Sequence, residues 1–165
     1  MSPQSPGNRQ ANDADRRYLD QVLPSVRTVT ALSVQAGQST DPGIRGLARL
    51  TAATQRARGR TAVRLVSSWT VRDADGPRPP LPTSRGKSAP VTPLEDGHVL
   101  DLRYLADLHE HALASLASAR TEMVEGINRQ GRRIAEDSIR AHSRELAAIE
   151  GFTFTGPAPA RPPED

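Results

Sequence analysis

Two histidines flank one glutamate in the segment LADLHEHALASLASA, residues 105–119. Imidazole nitrogens and carboxylate oxygens bind copper and zinc, and imidazoles also exchange protons near neutral pH. The chain contains no cysteine, so any metal would have to be held by His, Asp or Glu. Whether His109, Glu110 and His111 can act together depends on the helix face that each one occupies.

Apolar periodicity predicts where these side chains point. Positions 102, 105, 109, 112, 116, 119 and 123 are separated by steps of three and four and are mostly apolar, which is typical of a buried helix face. Positions 135, 139, 142, 146 and 149 form a similar face on the next segment. We therefore predict that His109 and His142 lie in buried seams. His111 follows His109 by two residues and should point roughly 160° away, toward solvent or a neighbouring helix.

The two seam histidines should lie at one level of a helical hairpin. Gly126, the predicted turn, is 17 residues after His109 and 16 residues before His142. Glu145 lies about one turn beyond His142 and can reach the same place. Two imidazoles and a carboxylate would suit Cu(II) or Zn(II). The competing interpretation is a polar layer in which these groups hydrogen-bond one another or Gln55 across the bundle.

Four helices must position these residues. Asp13 or Asp15 can cap the first, which should end near Gly37, and Asp41 before Pro42 is a strong start signal for the second, which should reach about Val71. A capping box at residues 92–95 should open a short turn. The third helix should follow this turn and end near Glu125. Asn128 can cap the fourth, which should end at Gly151.

The two helical segments resemble each other, which predicts an internal duplication. Residues 17–19 (Arg-Tyr-Leu) recur at 103–105, and Leu-Ala at 47–48 recurs as Ile-Ala at 134–135. We predict an all-α fold, a four-helix bundle of two antiparallel hairpins joined by a long Pro-rich crossover linker. The single domain would span residues 13–152, with hairpins at 13–71 and 99–151 and the linker at 72–98. Residues 1–12 and 153–165 should be disordered.

Composition limits the classes of function. The net charge is +3, but Lys87 is the only lysine among 22 basic residues and aromatics make up 3% of the chain, so base-stacking surfaces are largely missing. Nucleic acid is therefore a poor candidate partner. Residues 1–15 contain no apolar stretch, so we expect a soluble, cytoplasmic protein with no membrane association.

The second helix excludes one well-known kind of metal site and has a basic face. A di-iron carboxylate centre needs acidic side chains from all four helices, and residues 44–71 contain no Asp or Glu. The same helix carries five arginines along one face. We expect that face to be solvated and paired with acidic residues of the second hairpin. The arginines are Arg45, Arg49, Arg56, Arg60 and Arg64.

Both hairpins resemble the bacterial ferritin-like proteins classed as domain-of-unknown-function family 305. The resemblance covers about residues 13–70 and 100–150, in an order and spacing that hold in both copies. It implies a ferritin-like helical bundle and an association with copper. The matching positions are Asp15, Tyr18-Leu19, Val22-Leu23-Pro24, Leu47-Ala48 and Gln55 in the first copy, and Tyr104-Leu105, Leu108, His111, Ile134-Ala135, Glu145-Leu146 and Ile149 in the second.

The chain departs from the family pattern where metal ligands are implied. The paired histidines of the family correspond to Ser25 and Val26 in the first copy, and only His111 remains in the second. His142 stands where the family has Gln, and Arg58 where the first copy would have Glu. The resemblance thus implies His111 as a ligand, whereas the seam pattern favours His109.

Three hypotheses about function follow. The leading one is a non-catalytic binding bundle, with or without one copper or zinc ion held by His109 or His111 together with His142 and Glu145. Gln55 and Arg58 would then be ligand-binding or polar-core residues. The second is a small enzyme that uses His109, His142 and Glu145 in acid–base catalysis, although the chain has no nucleophile motif or phosphate loop. The third is an interaction or self-assembling module that uses the basic face. A homo-oligomer is compatible with each of the three hypotheses. The sequence does not indicate which small molecule or protein would be the partner.

Overall fold

The computed structural model describes residues 11–70 and 97–154, which form four helices and no strand. They are α1 (Asp13–Ala36), α2 (Pro42–Thr70), α3 (Gly97–Glu125) and α4 (Arg129–Phe154). Helix α1 packs on α2 and α3 packs on α4, and the two hairpins pack together. The predicted all-α four-helix bundle is confirmed. The predicted disordered N-terminal segment before residue 11, most of the Pro-rich linker and the capping box at residues 92–95 lie outside the described residues.

Polar caps begin the helices, mostly where the sequence predicts them. Asp41 and Asn128 each accept hydrogen bonds from two backbone N–H groups at the starts of α2 and α4, as predicted. The cap of α1 differs, because it is Asn12 and not Asp13 or Asp15. Asn12 Oδ1 accepts from the Asp15 backbone N–H at 2.9 Å, and the Asp15 carboxylate accepts from the Asn12 N–H at 2.7 Å. These reciprocal bonds form a capping box with Asp15 at its third helical position.

Two helix boundaries differ from the prediction by a few residues. Helix α3 begins at Gly97, inside the predicted linker, and α4 continues to Phe154, inside the predicted C-terminal tail. Helix α1 ends at Ala36 beside Gly37, as expected. None of the four helices in the described ranges is long and apolar enough to cross a bilayer.

The hydrophobic core is divided into two clusters along the bundle axis. One surrounds Leu19 and Ile134, and the other surrounds Val29 and Leu108. In each helix, the stretch between the clusters carries polar residues. Because full burial of a large apolar side chain contributes roughly 1.5–3 kcal/mol, the two clusters provide most of the packing energy and hold the polar stretch at a defined level.

The buried face of α3 differs from the predicted one. Leu105, Ala112, Leu116 and Ala119 are buried as expected, but Leu102 is 52% exposed and His109 lies on the exterior. Tyr104, Leu108 and Glu122 are buried in addition, whereas positions 102 and 109 are exposed and Met123 is half-buried against the first apolar cluster. Helix α3 packs against α1 as well as α4, so its buried face is rotated relative to a simple two-helix seam. This rotation buries the aliphatic Leu108 and leaves the imidazole of His109 in water.

Candidate functional site: a polar layer across the bundle

Polar side chains from all four helices meet where the two apolar clusters adjoin, and Tyr18 also belongs to the first cluster. We call this set of polar side chains the polar layer. Its members hydrogen-bond one another, contact through their rings or line the same small pocket. They are Tyr18 and Ser25 of α1, Thr51, Gln55 and Arg58 of α2, His111 and Ser115 of α3, and Ser138, His142 and Glu145 of α4.

His142 is the centre of the layer and is only 1% exposed. Its Nδ1 lies 2.8 Å from Glu145 Oε2, and its Nε2 lies 2.5 Å from Arg58 Nη1. A guanidinium can only donate hydrogen bonds, so Nε2 must be the accepting, unprotonated nitrogen. The proton of the neutral ring is therefore on Nδ1 and is donated to the Glu145 carboxylate. These contacts form a continuous chain from a cation through a neutral imidazole to an anion.

The hydroxyl partners of these charged groups occupy equivalent positions in the two hairpins. Thr51 Oγ1 donates to Glu145 Oε1 at 2.9 Å, and Arg58 Nη1 donates to Ser138 Oγ at 3.2 Å. Residues 51 and 138, and residues 58 and 145, are each 87 apart. Under the duplication predicted from the sequence, the two contacts correspond to each other, with Arg58 in one hairpin where the other has Glu145.

His111 lies beside His142 and faces the interior. The two ring centroids are 5.6 Å apart in an edge-to-face arrangement. Ser25 Oγ lies 3.3 Å from both ring nitrogens of His111, and Ser115 Oγ lies 3.2 Å from Nε2. Burial, followed by the neighbouring His142 and Arg58, lowers the pKa of His111 to about 4. His111 is therefore a neutral imidazole at pH 7.

Two buried atoms of the layer have no hydrogen-bond partner among the described residues. They are Nε of Arg58 and Oε1 of Gln55. Burial lowers the pKa of Arg58, but a guanidinium starts from so high a value that the side chain stays charged at neutral pH. Arg58 thus has hydrogen-bonding capacity that the layer does not use.

The predicted site residues are only partly brought together. His142 and Glu145 are in contact, as the seam pattern predicts, with Gln55 buried and Arg58 half-buried beside them. The prediction that His109 faces His142 is wrong, because His109 is exposed. His111 is predicted to point toward solvent or a neighbouring helix, and it lies toward α1, where it contacts Ser25 while its ring packs beside that of His142. Of the two histidines considered, His111 is the one that lies beside His142, and it is the one that the family resemblance favours over His109.

Sequence reasoning missed the hydroxyl groups of the layer. Tyr18 hydrogen-bonds Ser138 at 3.0 Å, and Ser138 also donates to the Ile134 carbonyl. Burial raises the pKa of the Tyr18 phenol, so it stays protonated near pH 7. A usable signal was present, because buried Thr51 and Ser138 each lie one helical turn after an apolar pair, at residues 47–48 and 134–135.

A second buried polar cluster lies at the α3–α4 turn. Glu122 is 1% exposed. A Cβ atom added at Gly131 would lie 2.7 Å from Glu122 Oε1 and 3.3 Å from Asp15 Oδ1, so the two carboxyl groups approach the same point. Burial, and then Asp15, raises the pKa of Glu122 to about 8, and Arg132 opposes this shift.

Comparisons with known proteins identify the fold. No protein-family model matches the chain, and no curated protein is significantly similar to it. A crystal structure of a DUF305 fragment from Deinococcus radiodurans is 15% identical, with a TM-score of 0.66, over 86% of this chain and 96% of that one. The bundle has a DUF305-like fold. CopM in the Cu(I)-bound form is also 15% identical, with a TM-score of 0.63, over 86% of this chain and 98% of that one.

The copper in the CopM structure raises the question of whether the polar layer fits a metal. Among residues 11–70 and 97–154, no group of three or more His, Asp or Glu side chains is placed to hold an ion. Both ring nitrogens of His142 are engaged, and the guanidinium of Arg58 lies at the nitrogen that a metal would need. A cation would have to displace another cation there. The layer as arranged does not fit a transition metal.

Proposed function

We propose that this protein is a non-catalytic binding protein, that the polar layer is its recognition element, and that Arg58 supplies the positive charge that a metal ion would otherwise supply. The observation that carries this proposal is the hydrogen bond from Arg58 Nη1 to His142 Nε2. A buried carboxylate such as Glu145 needs a compensating cation. Arg58 provides one through the His142 ring without any bound ion.

The same hydrogen bond argues against acid–base catalysis at His142. A general base needs a free lone pair within reach of the substrate proton. The Nε2 lone pair of His142 accepts from Arg58, and its Nδ1 proton is donated to Glu145. The pocket lined by Gln55, Arg58, His142 and Glu145 measures about 160 Å³, below the usual range for small-molecule sites.

Metal titration tests this proposal. Wild type and Arg58→Gln are titrated with Cu(I) and with Zn(II) in competition with a chelator. Arg58→Gln frees His142 Nε2 beside His111, so we expect its affinity for Cu(I) to exceed that of wild type by at least about tenfold, or roughly 1.4 kcal/mol. Arg56→Gln, which removes an exposed arginine of the same helix, is the matched control and should behave like wild type.

Copper binding by wild type is the second candidate function. Two imidazoles with ring centroids 5.6 Å apart favour it, as does the fold shared with CopM in its Cu(I)-bound form. Wild type would then bind one equivalent of Cu(I) tightly, and His142→Ala would lose it while His109→Ala would not. That outcome would overturn the role proposed for Arg58.

A further inference from the structure

A small pocket opens on the α1–α3 side of the polar layer. It has a volume of about 230 Å³, and Arg58 reaches it from α2. Hydrogen-bonding side chains line much of its wall, and no acidic side chain is among the lining residues. The polar lining includes Tyr18, Ser25, Arg58, His111, Ser115 and Ser118.

The charges around this pocket favour an anion. His111 is neutral at pH 7, and both ring nitrogens of His142 are engaged by Arg58 and Glu145. Glu145 lies on the far side of His142, where it contacts Thr51, and it does not line the pocket. Among the described residues that line the pocket, Arg58 therefore carries the one formal charge, and it is positive.

Arg58 and the neighbouring hydroxyls have donors that the protein uses only in part. Nη1 of Arg58 serves both Ser138 and His142, whereas the buried Nε has no partner among the described residues. A buried donor without a partner costs about 1–3 kcal/mol, so an acceptor that reaches it is favoured. Ser25 and Ser115 contact His111 at 3.2–3.3 Å, which is long for an O–H donor. A better acceptor would draw these hydroxyls away from the ring.

Size and shape narrow the class of ligand. The pocket is smaller than the roughly 300–1,000 Å³ typical of drug-sized ligands, which excludes nucleotides and other large anions. A planar guanidinium fork matches a planar carboxylate better than it matches a point charge. We propose that this pocket binds a small carboxylate anion, with Arg58 as its charge partner and the hydroxyls of Ser25 and Ser115 as further donors. This inference rests on the proposed function, since it names the ligand of the same polar layer.

Ligand titration tests the inference. ¹H–¹⁵N spectra of the full chain are recorded at pH 7 while sodium acetate or sodium succinate is added, with sodium chloride at equal ionic strength as the reference. We expect saturable shifts concentrated at the amides of Ser25, Arg58, His111 and Ser115. Arg58→Gln should weaken binding by about tenfold to hundredfold, the range for a hydrogen bond to a charged group. Ser115→Ala should weaken it about twofold to tenfold, and Arg56→Gln should leave it unchanged.

Several results would overturn the inference. They are shifts that do not saturate, shifts spread over the arginine-rich surface, or equal binding by wild type and Arg58→Gln. Tighter binding of inorganic phosphate than of acetate or succinate would show that the pocket prefers a phosphate and would contradict the proposed carboxylate ligand. If Arg58→Gln fails to fold, the titration of Ser115→Ala and the map of shifted amides in wild type still test whether a carboxylate binds in this pocket. Absence of carboxylate binding together with a gain of Cu(I) affinity in Arg58→Gln would reject only this inference and leave the proposed function standing.

Discussion

Glu122 should make the stability of this protein fall as the pH rises through neutrality. Its carboxyl is buried beside that of Asp15, and these two effects raise its pKa from 4.5 to about 8. In the unfolded chain the group loses its proton near pH 4.5, whereas in the folded protein it keeps the proton until about pH 8. The folded state binds more protons between these values, so the free energy of unfolding decreases with pH across this window.

The magnitude follows from the two pKa values. One pKa unit corresponds to roughly 1.4 kcal/mol, so the shift of Glu122 amounts to about 5 kcal/mol over the whole window. His111 has the opposite effect at the acid end, because its pKa is lowered from 6.5 to about 4 and the unfolded chain takes up the proton first. Between pH 6.5 and 9 His111 opposes the contribution of Glu122 only weakly, because its imidazole is already half deprotonated in the unfolded chain at pH 6.5. Wild type should then lose about 2 kcal/mol.

The assay is urea unfolding followed by circular dichroism at pH 6.5, 7.5, 8.5 and 9. We expect the free energy of unfolding of wild type to fall and that of Glu122→Gln to stay level, because the amide cannot ionise. Glu110→Gln removes an exposed carboxylate from the same helix and should follow wild type. The reasoning is refuted if wild type is equally stable at pH 6.5 and 9, or if Glu122→Gln keeps the wild-type slope.

Two further predictions concern packing and can be checked by thermal and urea unfolding. Gly59→Ala should be less stable than Gly46→Ala by about 1–3 kcal/mol, because a Cβ at Gly59 would lie 2.9 Å from Val26 Cγ1, whereas a Cβ at Gly46 meets nothing within 4 Å. Equal stabilities would mean that α1 and α2 are not closely packed there. Leu108→Ala should cost about 2–5 kcal/mol, and His109→Ala should stay within about 0.5 kcal/mol of wild type. A larger loss of stability in His109→Ala than in Leu108→Ala would support the buried face predicted from the sequence and contradict the one in the structure.

Local signals were sufficient for the four helices and for the contact between His142 and Glu145 in the candidate site. Asp41 and Asn128 begin their helices where the sequence predicts, because capping depends only on neighbouring backbone N–H groups. His142 and Glu145 meet because residues three apart on one helix share a face. These interactions involve few residues and short separations along the chain, so the residue pattern alone determines them.

Tertiary packing decided which histidine enters the interior and which cation lies beside it. Positions 108 and 109 fit a helical seam almost equally well, and the contact of α3 with α1 as well as α4 selects Leu108 and turns His111 inward. The hydrogen bond from Arg58 to His142 joins residues 84 apart on two helices. No local rule can anticipate such a contact, because it depends on the rotation of each helix about its own axis, which is set only when all four pack together.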